Sequence, residues 1–371
     1  MQATKAFLFA GVILFILGGS ANAYYEVIDL GTLGGNESRA YSINDIGQLV
    51  GWAYNSSGYE RACLFDPTGG GANKDLGTLG GVPARAYSIN NSGQIVGDAY
   101  NSSGYERACL FDPTGGGANK DLGTLGGVRA RAYFINNNGQ IGGSAYNSSG
   151  NSRACLFDKT GGGANTDLGT LGGSSSRAMS INDNGQIVGW AYNVGSVDIA
   201  CLFDPTGGGA NKDLGSLGSV HGRCAYSINN SGQIVGYATN SSNYDRACLF
   251  DPTGGGANID LGTLGGSGSA ARSINNNDQI VGSAYNSSNE YRACLFDPIG
   301  QGNNIDLNTL IDPSSGWTLR HAYGINNNGW IVGSGINPDG QPHAYLLTPE
   351  PASAAIMAVG AVMLALRRRR R

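Results

Sequence analysis

Three kinds of residue in this 371-residue chain could carry chemistry: seven cysteines, three histidines and a recurring set of arginines. Six cysteines sit in one repeated string, Ala-Cys-Leu-Phe-Asp, at Cys63, Cys109, Cys155, Cys201, Cys248 and Cys294. The seventh, Cys224, stands in Arg223-Cys224-Ala225. A disulfide needs Cα atoms within about 7 Å, and equivalent points on successive repeat units lie on the order of 10 Å or more apart. The six are therefore expected as free thiols buried like small apolar residues, with Cys224 the one reaching solvent. Zinc is not expected, because no cysteine pair is close in sequence and only His221, His321 and His343 could join it. No histidine lies near a nucleophile elbow. Asn182-Asp183-Asn184-Gly185 suggests part of a calcium loop, but it lacks the acidic spacing and the closing glutamate. Hairpin chemistry accounts for it instead, so no metal and no cofactor are expected.

Arginine recurs twice per repeat. Arg39, Arg85, Arg131 and Arg177 precede one strand, and Arg61, Arg107, Arg153, Arg246 and Arg292 precede another. If the first strand lines a central channel, its arginines could form a basic rim for an anionic glycan. Glu37, Glu60 and Glu106 could instead pair with them, and Ala270 breaks the pattern in the sixth copy. If one asymmetric site exists, the last repeat is the place to look, with Trp317, His321, Trp330 and His343. Asn-Ser-Ser recurs at Asn55, Asn101, Asn147, Asn240 and Asn286 and reads as a polar turn.

The elements that must position these residues follow from the repeat. Asp-Leu-Gly-Thr-Leu or a variant begins at Asp29, Asp75, Asp121, Asp167, Asp213, Asp260 and Asp306, at intervals of 46 residues with one of 47. Each repeat reads as four short strands, RAYSIN, GQIVGWAY, RACLFD and KDLGTL, separated by Asn-x-x-Gly and Gly-rich turns. Cys63 and Phe65 face one way and Ala62 and Leu64 the other, so the third strand is buried on both sides. Seven such units predict a seven-bladed β-propeller. The chain opens with one spare DLGTL strand and ends without a fourth strand, so the N-terminal strand should close the ring. A linear β-solenoid competes but does not require that spare strand. The 62 glycines and 13 % charged residues exclude a coiled coil and suit a turn-dense all-β chain.

The two ends lie outside the repeats. Lys5, an apolar run from Ala6 to Leu17, and small residues at Ala21 and Ala23 read as a signal peptide over 1–23. The run is shorter than the ~18–20 residues of an anchoring helix. At the other end, residues 349–371 join Pro349-Glu350-Pro351, an uncharged stretch from Ala352 to Leu366, and Arg367, Arg368, Arg369, Arg370 and Arg371. That pattern suits a short membrane helix with a basic cytoplasmic flank. Without the two ends, 17 basic residues remain against 27 acidic ones, a net of −10 against −4 for the whole chain. A nucleic-acid partner would need a basic footprint, so none is expected.

This tail closely resembles the PEP-CTERM sorting signal. The resemblance implies recognition by an exosortase-type enzyme through Pro349, Glu350 and Pro351, with transient inner-membrane anchoring through the C-terminus. It also implies delivery to the envelope or exterior of a Gram-negative bacterium. The repeats over 26–348 resemble the HAF-repeat extracellular family. Six copies carry Arg-Ala-Cys or a variant where that family has His-Ala-Phe, and only His343-Ala344-Tyr345 keeps the histidine. The expected function is an exported, non-enzymatic scaffold or binding protein associated with extracellular polysaccharide. A lectin-like glycan receptor is the alternative, followed by a polysaccharide-active enzyme.

Overall fold

The computed structural model describes residues 25–350. The described chain is a seven-bladed β-propeller of seven four-stranded antiparallel sheets. In the first blade the inner strand is Gly34–Ile43, the second Leu49–Asn55, the third Glu60–Phe65 and the outer one Lys74–Asp75. The seventh blade takes three strands from the end of the chain, Thr318–Ile325, Ile331–Ile336 and Pro342–Pro349. Its fourth is Tyr25–Asp29, paired antiparallel from Tyr25 opposite Pro349 to Asp29 opposite Tyr345. The spare strand thus closes the ring, and the solenoid is excluded.

Two strands differ from their expected lengths. The inner strand starts at the Gly-Gly corner and runs ten residues. The outer strand keeps only two, because Leu76 turns inward and is fully buried while the chain crosses to the next blade. Between the sixth and seventh blades, the chain also forms two single-turn 3-10 helices, Leu307–Leu310 and Pro313–Ser315, started by the Asp306 and Asp312 side chains.

Each third strand is apolar on both faces, and each face packs against a different blade. Cys63 and Phe65 join Leu49 and Val332 between the first and seventh blades. Ala62 and Leu64 join Leu76, Ala86 and Ile95 between the first and second. All seven cysteines are free and buried. Cys224 is a correction: its expected exposure fails, because it is only 5 % exposed. Residue 224 falls at the inner-strand place held elsewhere by Arg39, Arg85, Arg131 and Arg177, and its short side chain stays covered. Burial pushes its thiol up to about 12.

The Asn-x-x-Gly turns do more than reverse the chain. The Asn44 amide group donates to the Asn90 carbonyl, Asn90 to Asn136, and so on through Asn182, Asn229, Asn275 and Asn326, which returns to Asn44. All seven bonds measure 2.9–3.2 Å. One residue on, a second closed ring links each backbone N–H to the next blade's side-chain oxygen at 2.9–3.0 Å. Those oxygens, including Asp45 and Asp183, are therefore occupied by neighbouring blades.

At the rim, the asparagine of each Gly-rich loop reaches back one blade. Asn73 donates to the Leu30 and Thr32 carbonyls, and five later loops repeat the contact.

Breaking one link should be costly, since a buried carbonyl loses its donor. Asn136→Ala is expected to lower unfolding stability by roughly 1–3 kcal/mol, read by denaturant melts. Native protein treated with a thiol-reactive dye should label no cysteine quickly, Cys224 included, and all seven once unfolded.

Candidate functional site

The inner strands converge on the central axis, with their Ile-Asn ends forming the narrow end. There Ile43, Asn44, Asp45 and their six equivalents enclose about 210 Å³. Above them Tyr41, Tyr87, Tyr133 and Tyr323 form an arc of rings with centroids 5.3–5.6 Å apart. The Arg39 set lies two residues farther along, toward the opposite, wider mouth.

A close backbone approach positions that set. A Cβ on Gly51 would lie 1.9 Å from the Arg39 carbonyl, and on Gly97 it would lie 1.9 Å from that of Arg85. Only glycine lets the second strand come so near, beside a bulge in the inner strand between Ala40 and Ser42. Arg39 then stands opposite Trp52, Arg85 opposite Asp98, Arg131 opposite Ser144 and Arg177 opposite Trp190. The remaining blades pair Cys224 with Tyr237, Ala270 with Ser283 and His321 with Ser334.

The four arginines are not alike. Arg39 pairs with Glu37 at 3.0 Å, Arg85 with Glu60, and Arg131 with Glu106 at 2.7 Å. Arg177 has no ion pair among the described residues. Its guanidinium lies 5.2 Å from the Tyr133 ring centre and 5.7 Å from that of Trp190. Its Nε is buried without a hydrogen-bond acceptor. Arg129, Arg131, Arg177, Trp190, Tyr192 and Glu106 line a cleft of about 160 Å³.

Where the fifth and sixth blades lack the arginine, the wall recedes. Ala270 opens a cleft of about 480 Å³ lined by Tyr226, Tyr237, Tyr285, Tyr291, Arg272 and His321, among others. Burial, then the positive charges of Arg272, Arg39 and Arg320, push the His321 imidazole down to about 4. It is therefore neutral at pH 7, with Nδ1 3.0 Å from the Ser283 hydroxyl.

The second arginine set serves the blades. Arg61, Arg107, Arg153, Arg246 and Arg292 pair within each blade with Asp75, Asp121, Asp167, Asp260 and Asp306 at 2.9–3.8 Å. In the seventh blade His343 does the same with Asp29 at 2.9 Å. Arg61, Arg107, Arg153, Arg246 and His343 thus do one job, donating to the carboxylate of the outer strand, whereas Arg292 lies 3.8 Å from Asp306 and donates to Glu290 instead. The four seventh-blade residues do not converge. Trp317 packs edge-on to Tyr345, Trp330 lies against the core between the first and seventh blades, and His343 is at the outer strand. Of these, only His321 reaches the mouth. The recurring Asn55-Ser56-Ser57 is a turn in which the Asn55 side chain accepts from the Ser57 and Tyr59 N–H groups.

Pro349 ends the last strand and Glu350 follows it, exposed. Ala21, Ala23, Pro351 and Arg367 to Arg371 lie outside the described residues. Among the described residues, no helix is long and apolar enough to cross a membrane.

Asp98 was not foreseen as a special group. Its carboxylate is fully buried, with no aligned hydrogen-bond donor. Burial and the Glu106 charge push it up to about 6, against the pull of Tyr87, Arg85 and Arg131. The hint in the sequence was one acid at a place where the other blades carry Trp, Ser or Tyr. The folded state binds this proton more tightly than the unfolded chain, so stability falls as pH rises from about 4 to 6 and then levels. Asp98→Asn should stabilise the protein at pH 7.5 by about 1–3 kcal/mol, with the gain vanishing below pH 4 in thermal melts.

No family model matches the chain, and no curated protein matches it. Solved structures that align with it include a gluconolactonase from Xanthomonas campestris, at 11 % identity over 88 % of this chain and 90 % of that one, with a TM-score of 0.45. The WD40 β-propeller domain of Doa1 aligns at 12 % identity over 86 % of this chain and 96 % of its own, with a TM-score of 0.49.

Proposed function

We propose that this propeller is an exported, non-enzymatic binding protein of the cell envelope that holds extracellular polysaccharide at its wide mouth. One observation carries the reading. The blades are near copies wherever they serve the fold and differ at the second-strand place opposite Arg39, where Ser144, Trp190, Tyr237 and Ser283 line the two clefts while Trp52, Asp98 and Ser334 are buried. The first two share the string from Ala53 to Gly81 and from Ala99 to Gly127. Yet the residue opposite the Arg39 place is Trp52 in one and Asp98 in the next, then Ser144, Trp190, Tyr237, Ser283 and Ser334.

A purely structural ring has no use for such differences, whereas a binding surface for an irregular ligand does. Aromatic faces beside a few fixed polar groups form a surface on which sugar rings can stack and hydrogen-bond. Export rests on the signal-like residues up to Ala23 and on the resemblance of Pro349-Glu350-Pro351 and the five arginines to a sorting tail. An exosortase-type enzyme would remove that tail after transient anchoring in the inner membrane.

Cells expressing the wild-type chain should place the protein in the outer envelope or medium. Replacing Pro349-Glu350-Pro351 with Ala-Ala-Ala should hold it at the inner membrane in fractionated cells. An unchanged distribution would remove the export reading.

A further inference from the structure

The polysaccharide reading leaves open what kind of sugar the mouth selects, and two arginines bear on it. Eight of the thirteen described arginines have a carboxylate beside them, and Arg177 and Arg272 share the lack of one with Arg129, Arg223 and Arg320. Arg39, Arg85 and Arg131 have theirs, and so do all five arginines of the third strands.

Arg177 and Arg272 have no ion pair among the described residues. Each instead lies against an aromatic ring: Arg177 over Tyr133 and Trp190, and Arg272 4.4 Å from the centre of Tyr226. Each buries an Nε that meets no acceptor. Each lines a different cleft, of about 160 Å³ and 480 Å³. Cys224, on the blade between them, is near enough for both charges to act on its thiol. Two carboxylates stand nearby, and Asp245 is itself part of the lining of the larger cleft. Asp198 accepts from the Gly222 N–H, and Asp245 accepts from the Thr239 hydroxyl at 2.8 Å.

Resting on the polysaccharide reading, we propose that the ligand is an acidic polysaccharide whose acid groups occupy two neighbouring subsites, one on Arg177 and one on Arg272. A guanidinium is planar and presents its donors as a fork, so it suits a carboxylate or sulfate oxyanion. The ring stacked against each guanidinium fixes its orientation before the ligand arrives, which limits the ordering cost of binding. Trp190 and Tyr192 in the smaller cleft, and Tyr285 and Tyr291 in the larger, offer flat apolar faces beside the acid group. The small side chains of Cys224 and Ala270 leave the wall between the two subsites free of competing arginines.

The test measures binding of the full-length protein to polygalacturonate, dextran sulfate and uncharged dextran. At least one acidic polymer should bind ten or more times more tightly than dextran, and which one does so separates carboxylate from sulfate. Arg177→Gln and Arg272→Gln should each weaken that binding at least fivefold without changing binding to dextran. Arg177→Lys should retain part of it, which controls for loss of packing. Lys120→Gln removes the same charge from an outer strand and should change nothing.

Equal binding of dextran and the acidic polymers, or Gln variants that bind like the wild type, would overturn the two-subsite proposal and leave the polysaccharide reading standing. A loss in Lys120→Gln as large as in Arg177→Gln would also overturn it, as diffuse charge attraction. If none of the three polymers binds, the proposal fails. If polysaccharide from the producing cell's envelope fails as well, the reading beneath it falls too.

Discussion

Seven thin sheets must become one body, and the ring of asparagine side chains is what ties them at the axis. A four-stranded sheet buried on both faces cannot exist alone in water, because its third strand would expose apolar residues on each side. Each blade therefore depends on two neighbours, and the ring has to close on itself. The Asn44 to Asn326 circuit supplies that closure at the narrow end. The pairing of Tyr25–Asp29 with Pro342–Pro349 supplies it at the edge. Both devices use directional bonds, which select one blade spacing where apolar packing alone would tolerate several.

The same constraint explains how the mouth can vary. Hydrogen bonds at the axis, the Gly-rich loop contacts at the rim and the Cys-Leu-Phe packing between blades make no use of the residues at the places of Arg39 and Trp52. Glycine at Gly51 and its equivalents holds the two strands at a fixed separation whatever faces the mouth. The framework can thus carry Trp, Asp, Ser or Tyr there at small cost, with one exception. Asp98 sits so deep that its charge is held against the preference of its surroundings.

Electrostatics in the molecule are local despite its acidic total. The third-strand arginines pair with the outer-strand carboxylates in five blades, while Glu37 pairs with Arg39 on its own strand and Glu60 and Glu106 each reach the mouth arginine of the next blade. Among the described inner-strand arginines without an ion pair, Arg177 and Arg272 are the two that lie against aromatic rings and line a cleft. Because both are partly shielded from water, their charge is screened less than that of a solvent-exposed residue.

Much of this was determined by the residues in order. The 46-residue beat, four strand-like pieces per repeat, one spare strand at the start and one missing at the end lead to a closed seven-bladed ring without coordinates. The alternation in Ala-Cys-Leu-Phe-Asp likewise locates the six repeated cysteines in the core. These features are legible because strand periodicity and turn chemistry are local. The tertiary structure alone decided what depends on neighbours from other blades. It assigned the Asn-x-x-Gly asparagines to an inter-blade circuit, since their partners lie 46 or more residues away. It covered Cys224, buried Asp98, and scattered the distinctive residues of the seventh blade instead of gathering them. It also separated four apparently equivalent arginines into three that are paired and one that is not. Equivalent places in a repeat share a backbone position, but several side chains take partners from the adjoining blade, as Arg85 does with Glu60 and Arg131 with Glu106, and the linear repeat does not display that pairing.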